Sequence, residues 1–199
     1  MKNWFRRRDK GEDIAHALYL AAVAQARQPV FYAAHGVPDS VDGRFDLIVL
    51  HVYLLLQPLH RLAQGEDLGE DLGDGRDAAA IRAGEIAQAL FDTMFGDMDR
   101  SLREMGVSDI SVGKRVKHMA KSFYGRVAAY DEGLAGSAEI LAAALERNLF
   151  GTVSPLPEHV AAMADYLCRQ AEQMTTFGAE DVLAGRMLFA PWPGKGVDH

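Results

Sequence analysis

Residues 45–62, FDLIVLHVYLLLQPLHRL, constrain the fold more than any other part of the chain. On a helical wheel they are apolar around most of the circumference, with Asp46, Gln57, His60 and Arg61 confined to a narrow polar stripe. A helix with so little polar surface has to lie at the centre of a bundle. His51 and Pro58 interrupt the run, which falls short of the roughly 20 apolar residues needed to cross a bilayer. Pro58 lacks a backbone N–H and is expected to kink the last turn.

The remaining segments also repeat at helical spacing, and none shows convincing period-2 alternation. Residues 11–27 read as a first helix closed by Pro29, and residues 28–44 as a connector rich in turn residues. That connector also carries Val30, Phe31 and Tyr32, so it should pack down or meet a partner. Residues 64–76 (QGEDLGEDLGDGR) read as a solvated acidic loop without EF-hand ligand spacing. A long helix follows over 77–105, with Leu90, Phe91, Met94, Phe95, Met98 and Leu102 on one side and Glu85, Asp92 and Asp99 opposite. Residues 111–149 continue helically, with breaks expected at Gly133 and Gly136. The Pro-bearing start near 154–158 opens a helix to about Met174, and a shorter one covers 179–187. The fold class expected is all-α, a single compact bundle of about five or six helices. It would span 11–190, between a basic N-terminal tail (1–10) and an extended C-terminal tail (191–199).

The chain has 199 residues, enough to bury a real core, and its 49% hydrophobic content is that of a folded domain rather than a disordered one. A net charge of −7 argues against general nucleic-acid binding, so no DNA partner is expected and any basic patch must be local. Cys168 stands alone, which rules out an internal disulfide and fits a reducing, cytoplasmic setting. The sequence MKNWFRRRDKGED has the charge of a signal peptide but no apolar stretch behind it, so export is not expected. Trp4 and Phe5 beside Arg6, Arg7 and Arg8 suit either an anionic membrane surface or a frayed tail.

Local positive charge is concentrated over residues 111–130. At about 100° per residue, Lys114, Arg115, Lys117, His118, Lys121 and Arg126 fall within half the circumference, and no acid lies among them. Val112, Val116, Met119, Ala120, Phe123, Tyr124, Val127 and Tyr130 occupy the other half. The basic face could meet an anion: ribosomal RNA, lipid headgroups, haem propionates or an acidic protein. The alternative is a solvated face, paired with the Glu85, Asp92 and Asp99 stripe.

Catalytic signatures are missing from the sequence. There is no Glu-x-x-His pair, Gly-rich phosphate loop, nucleophile elbow or zinc motif, so neither enzyme activity nor a cofactor is expected. Asp97 lies at the edge of an apolar side, within an acidic cluster that could in principle hold a metal. His51, on the apolar side of its helix, is either a candidate haem ligand or a buried histidine satisfied by hydrogen bonds. A haem-binding protein and a metal-dependent helical-bundle enzyme therefore stay open as alternatives.

Two blocks, AQARQPVFYAAHGVPDSVDGRFDLIVLH (24–51) and ALFDTMFGDMDRSLREMGVSDISVGKRVKHMAKSFYGRVAAY (89–130), together resemble the ubiquinol–cytochrome c chaperone family. Departures are small: Ser40 stands where threonine is usual, and residues 108–111 are less Gly-rich. The resemblance implies an all-α assembly factor for the cytochrome bc1 complex that binds newly made cytochrome b or other bc1 subunits. The mitochondrial relatives in that family contact a ribosome or membrane surface and work with a small partner protein, which the resemblance raises as further partners without carrying them over to this chain. Without their targeting extension, the chain resembles the bacterial branch, placed in the cytoplasm at the inner face of the membrane. On that footing, Phe31, Tyr32, Val37, Pro38, Asp39, Arg44 and Phe45 form the candidate client surface, with packing into the protein's own core as the alternative for the aromatics. The basic face is the candidate anchor.

Overall fold

The computed structural model describes residues 10–67 and 75–192. Among them are eight helices and no strand, as the helical spacing predicts: α1 (Lys10–Ala26), α2 (Pro29–Ala33), α3 (Val41–Ala63), α4 (Arg76–Glu104), α5 (Asp109–Ala135), α6 (Ala138–Asn148), α7 (Pro157–Thr175) and α8 (Ala179–Leu183). Trp4, Phe5, the N-terminal arginines, most of the acidic loop and the last seven residues lie outside the described residues.

Helix α3 is the hub, touching α1, α4, α7 and α8. Leu47, Val49, Leu50, Val52, Leu54, Leu55 and Leu59 are fully enclosed, as its all-round apolar composition predicts. Each such side chain stabilises the fold by about 1.5–3 kcal/mol through removal from water. The helix begins four residues before the predicted start, because the Ser40 side chain caps it by accepting from the Gly43 N–H at 3.1 Å. Gly43 is required there: a Cβ would sit 2.1 Å from the Pro38 carbonyl oxygen, where the connector folds back. Helix α3 runs on through the buried Pro58 to Ala63.

Two further boundaries differ from expectation, while of the two breaks expected within 111–149 the one at Gly136 is present and α5 runs through Gly133. The connector contains a helical turn, α2, opened by Pro29 at its first position, where a missing N–H costs nothing. Residues 111–149 divide at Gly136–Ser137, and α6 folds back along α5. Gly133 makes that return possible, since a Cβ there would lie 2.9 Å from the Leu141 Cα. The last helix stops at Leu183, and residues 186–192 continue without helical structure along the bundle.

Asp46 differs most from its predicted position in a polar stripe. It is buried, and its carboxylate accepts from the Arg126 guanidinium at 2.7 Å, with the two side chains only 12% and 18% exposed. This ion pair and the Tyr53 hydroxyl donating to Asp131 at 2.7 Å tie the C-terminal half of α5 to the hub. The N-terminal half packs through a narrow strip, Val112, Val116, Met119 and Phe123, with Phe123 edge-on to Phe91 of α4.

Candidate functional site

The exposed side of α5 follows from that narrow strip. Val112, Val116, Phe123 and Tyr130 point inward, so residues about 180° away point to solvent: Ile110, Lys114, Lys117, Lys121 and Tyr124, spaced by four, three, four and three. All five are exposed, and the apolar ends stand out most, Ile110 at 80% and Tyr124 at 63%; Tyr124, expected on the packed half, lies at its margin, beyond the reach of the narrow buried strip. Arg115 and His118 flank the stripe and are exposed as well.

The acidic stripe of α4 does not neutralise these cations. Asp92 accepts from Gln88, and Asp99 is bridged by Arg103, both on α4 itself. No ion pair involves Lys114, Arg115, Lys117 or Lys121 among the described residues. The sixth predicted member, Arg126, belongs elsewhere. It turns inward to Asp46, and its guanidinium lies 6.0 Å from the Phe45 ring centre. Burial pushes the Asp46 carboxyl up to about 6 against the pull of Arg126, and the Arg126 Nε and Tyr130 hydroxyl are buried without partners. The pair is a costly structural joint rather than part of an anion-binding face.

The candidate client residues separate in a similar way. Phe31 and Val37 are core side chains, 0% and 2% exposed, so here the connector packs into the protein itself. Tyr32 is half-buried and donates to the Ala26 carbonyl at 2.8 Å. Asp39 and Arg44 form an exposed ion pair, and Pro38 and Phe45 are partly covered. With the exposed Val41, these residues form an accessible rim at the α2–α3 turn.

His51 is fully buried and both its ring nitrogens are occupied. Nδ1 lies 2.7 Å from the Leu47 carbonyl, which can only accept, so Nδ1 carries the proton. Nε2 then accepts from the Tyr166 hydroxyl at 2.8 Å, which in turn accepts from Gln25 Nε2 at 3.0 Å. Burial holds the imidazole neutral, its pKa lowered to about 4. As placed, His51 has no lone pair free for haem iron. Asp97 is taken up by the Tyr19 hydroxyl at 2.7 Å, linking α1 to α4. Among the described residues no three His, Cys, Asp or Glu side chains converge as a metal-holding group, and no helix is long and apolar enough to cross a membrane. Cys168 is half-buried, and burial raises its thiol pKa, which keeps it protonated.

Tyr166, Gln170 and Trp192 join the surroundings of His51 without having been singled out in the sequence. The only local signal was an indole in a Pro- and Gly-rich tail, together with a Tyr–Gln pair four residues apart on α7.

Comparison with known proteins agrees with this architecture. The family model described as Ubiquinol-cytochrome C chaperone matches residues 33–189. The ubiquinol-cytochrome-c reductase complex assembly factor 1 of Xenopus laevis is 26% identical over 87% of this chain and 79% of its own length. Its Homo sapiens counterpart is 25% identical over 87% of this chain, which spans 53% of that protein. Protein CBP3, mitochondrial, of Saccharomyces cerevisiae is 30% identical over 84% of this chain and 46% of its own length. The crystal structure of the Cbp3 homolog from Brucella abortus superposes with a TM-score of 0.72 at 35% identity, covering 92% of this chain and 91% of that one. With the family model spanning the bundle from the end of α2 to beyond α8, this chain belongs to the ubiquinol-cytochrome C chaperone family.

Proposed function

We propose that this chain is a non-enzymatic assembly factor for the cytochrome bc1 complex, ubiquinol-cytochrome c reductase. It binds newly made cytochrome b and steadies it until assembly, at the cytoplasmic face of the inner membrane. The observation that carries the proposal is the exposed, unpaired stripe of Lys114, Lys117 and Lys121 on a family member whose net charge is −7. Isolating three cations from every acid among the described residues leaves them free for an anionic surface, the ribosome or the lipid headgroups where a membrane protein emerges. Ile110 and Tyr124 at the two ends of the stripe add apolar contact. The rim of Tyr32, Pro38, Asp39, Val41, Arg44 and Phe45 is the surface assigned to the client, with a small partner protein as a further occupant of the bundle's exterior.

Deleting the gene is expected to lower cytochrome b and bc1 activity; normal levels of both would sink the proposal. Complementation with Lys114→Glu, Lys117→Glu and Lys121→Glu together should restore a folded, helical protein but not bc1 assembly. Full restoration would make the stripe a solvated face. Affinity capture during growth that requires bc1 should recover cytochrome b.

A further inference from the structure

We propose that the groove over His51 and Tyr166, filled here by the chain's own C-terminal segment, is a binding site for an extended apolar segment of a different protein, not a second copy of this chain, carrying aromatic side chains three residues apart. The segment from Leu188 to Trp192 is that ligand in cis. Its recognition has two parts. Gln170 grips the backbone, donating to the Ala190 carbonyl at 2.8 Å and accepting from the Ala190 N–H at 2.8 Å. Such a two-point amide contact reads an extended main chain irrespective of its side chains. Specificity comes from the aromatics on either side. Phe189 meets the His51 ring edge-on at 5.1 Å, and Trp192 stacks on Tyr166 at 4.9 Å with 18° between planes.

Much of the segment is open to solvent, although Trp192 also meets Phe31 edge-on at 5.5 Å and Arg169 at 5.8 Å. Leu188 is 69% exposed, Pro191 is exposed, and Phe189 and Trp192 are only partly covered, whereas Met187, the root of the segment, is buried. The groove floor does not depend on its occupant, because the Gln25–Tyr166–His51–Leu47 hydrogen bonds lie within α1, α3 and α7. A pre-organised floor binds a replacement strand without reordering. One group is also poorly served by the present occupant: His35, 4.2 Å from the Trp192 ring, has its Nε2 buried without a partner.

The inference rests on the chaperone proposal only for the source of the replacing segment, an apolar stretch of an unassembled membrane protein; the groove is testable without it. The probe is a fluorescein-labelled peptide with the sequence of residues 187–192, added to the full-length chain and followed by anisotropy. Trp192→Ala should loosen the cis segment, which keeps only the Gln170 grip and the Phe189 contact, and tighten peptide binding by about tenfold, because the weakened competitor occupies the groove for less of the time. Adding Gln170→Ala to that variant should weaken binding again, with circular dichroism checking that both remain folded. A peptide with Phe189 and Trp192 replaced by serine should not bind. Equal affinity for the wild type and Trp192→Ala, or no binding to a folded Trp192→Ala chain, would overturn the proposal and make the segment a fixed part of the core. Dimers in sedimentation that vanish with Trp192→Ala would give the groove to a second copy and overturn it too. Either result would leave the gene-deletion test of bc1 assembly untouched.

Discussion

Replacing Arg126 by alanine should separate structural from anchoring charge on α5. The Asp46–Arg126 pair is nearly enclosed, at 12% and 18% side-chain exposure, so its loss would leave the Asp46 carboxylate without a partner in a low-dielectric site. Breaking a buried pair from one side costs about 3–5 kcal/mol. At about 2–4 °C per kcal/mol for a chain of this size, the melting midpoint should fall by about 6–20 °C. Lys117→Ala, on the exposed stripe, should change stability by less than about 0.5 kcal/mol. Urea unfolding followed by circular dichroism gives both values, and pH supplies the sharper check. Asp46 already titrates near 6 with Arg126 present, and without that cation its pKa rises further. Below that pH the orphaned carboxyl takes up a proton and ceases to be a buried charge. The cost of Arg126→Ala should therefore be largest near neutrality and shrink as the pH is lowered towards about 5. An Arg126→Ala chain as stable as Lys117→Ala, or a cost that does not change with pH, would refute the assignment of Arg126 to the core.

Other substitutions probe the remaining elements. Leu50→Ala in the centre of α3 should cost about 2–5 kcal/mol by opening a cavity, read as a lower urea midpoint. His51 has a folded pKa of about 4, below its ordinary 6.5, so its contribution is complete above 6.5 and is lost as the pH falls towards 4. His51→Phe should flatten the acid limb of the stability profile across that window; an unchanged limb would exclude His51 as its source. Titration with haemin should give no Soret shift that depends on His51, since both ring nitrogens are occupied. Gly133→Leu should unfold or splay the α5–α6 hairpin, because even a Cβ at Gly133 lies 2.9 Å from Leu141 Cα; protease sensitivity near residue 136 would report it.

The local sequence determined the helices and the sidedness of the basic one, α5. Apolar residues all round 45–62 have to be buried, and a basic half-circumference on α5 has to face outward along its middle, since both follow from the 3.6-residue repeat acting on neighbouring residues. The two segment blocks also carried the family, matched by the family model over 33–189. Tertiary packing decided which charges on that face are free. Arg126 shares the half-circumference with Lys114 and Lys121, yet it lies near the boundary of the buried strip and finds Asp46, eighty residues away, at 2.7 Å. Phe31 and Val37 were candidates for an exposed surface until α2 folded them into the core. The amide grip of Gln170 on Ala190 and the stacking of Trp192 on Tyr166 join residues from separate segments. No helical period encodes such a meeting, because partners distant along the chain are chosen by how the helices cross, and the energy of a polar or charged group depends on what surrounds it after they do.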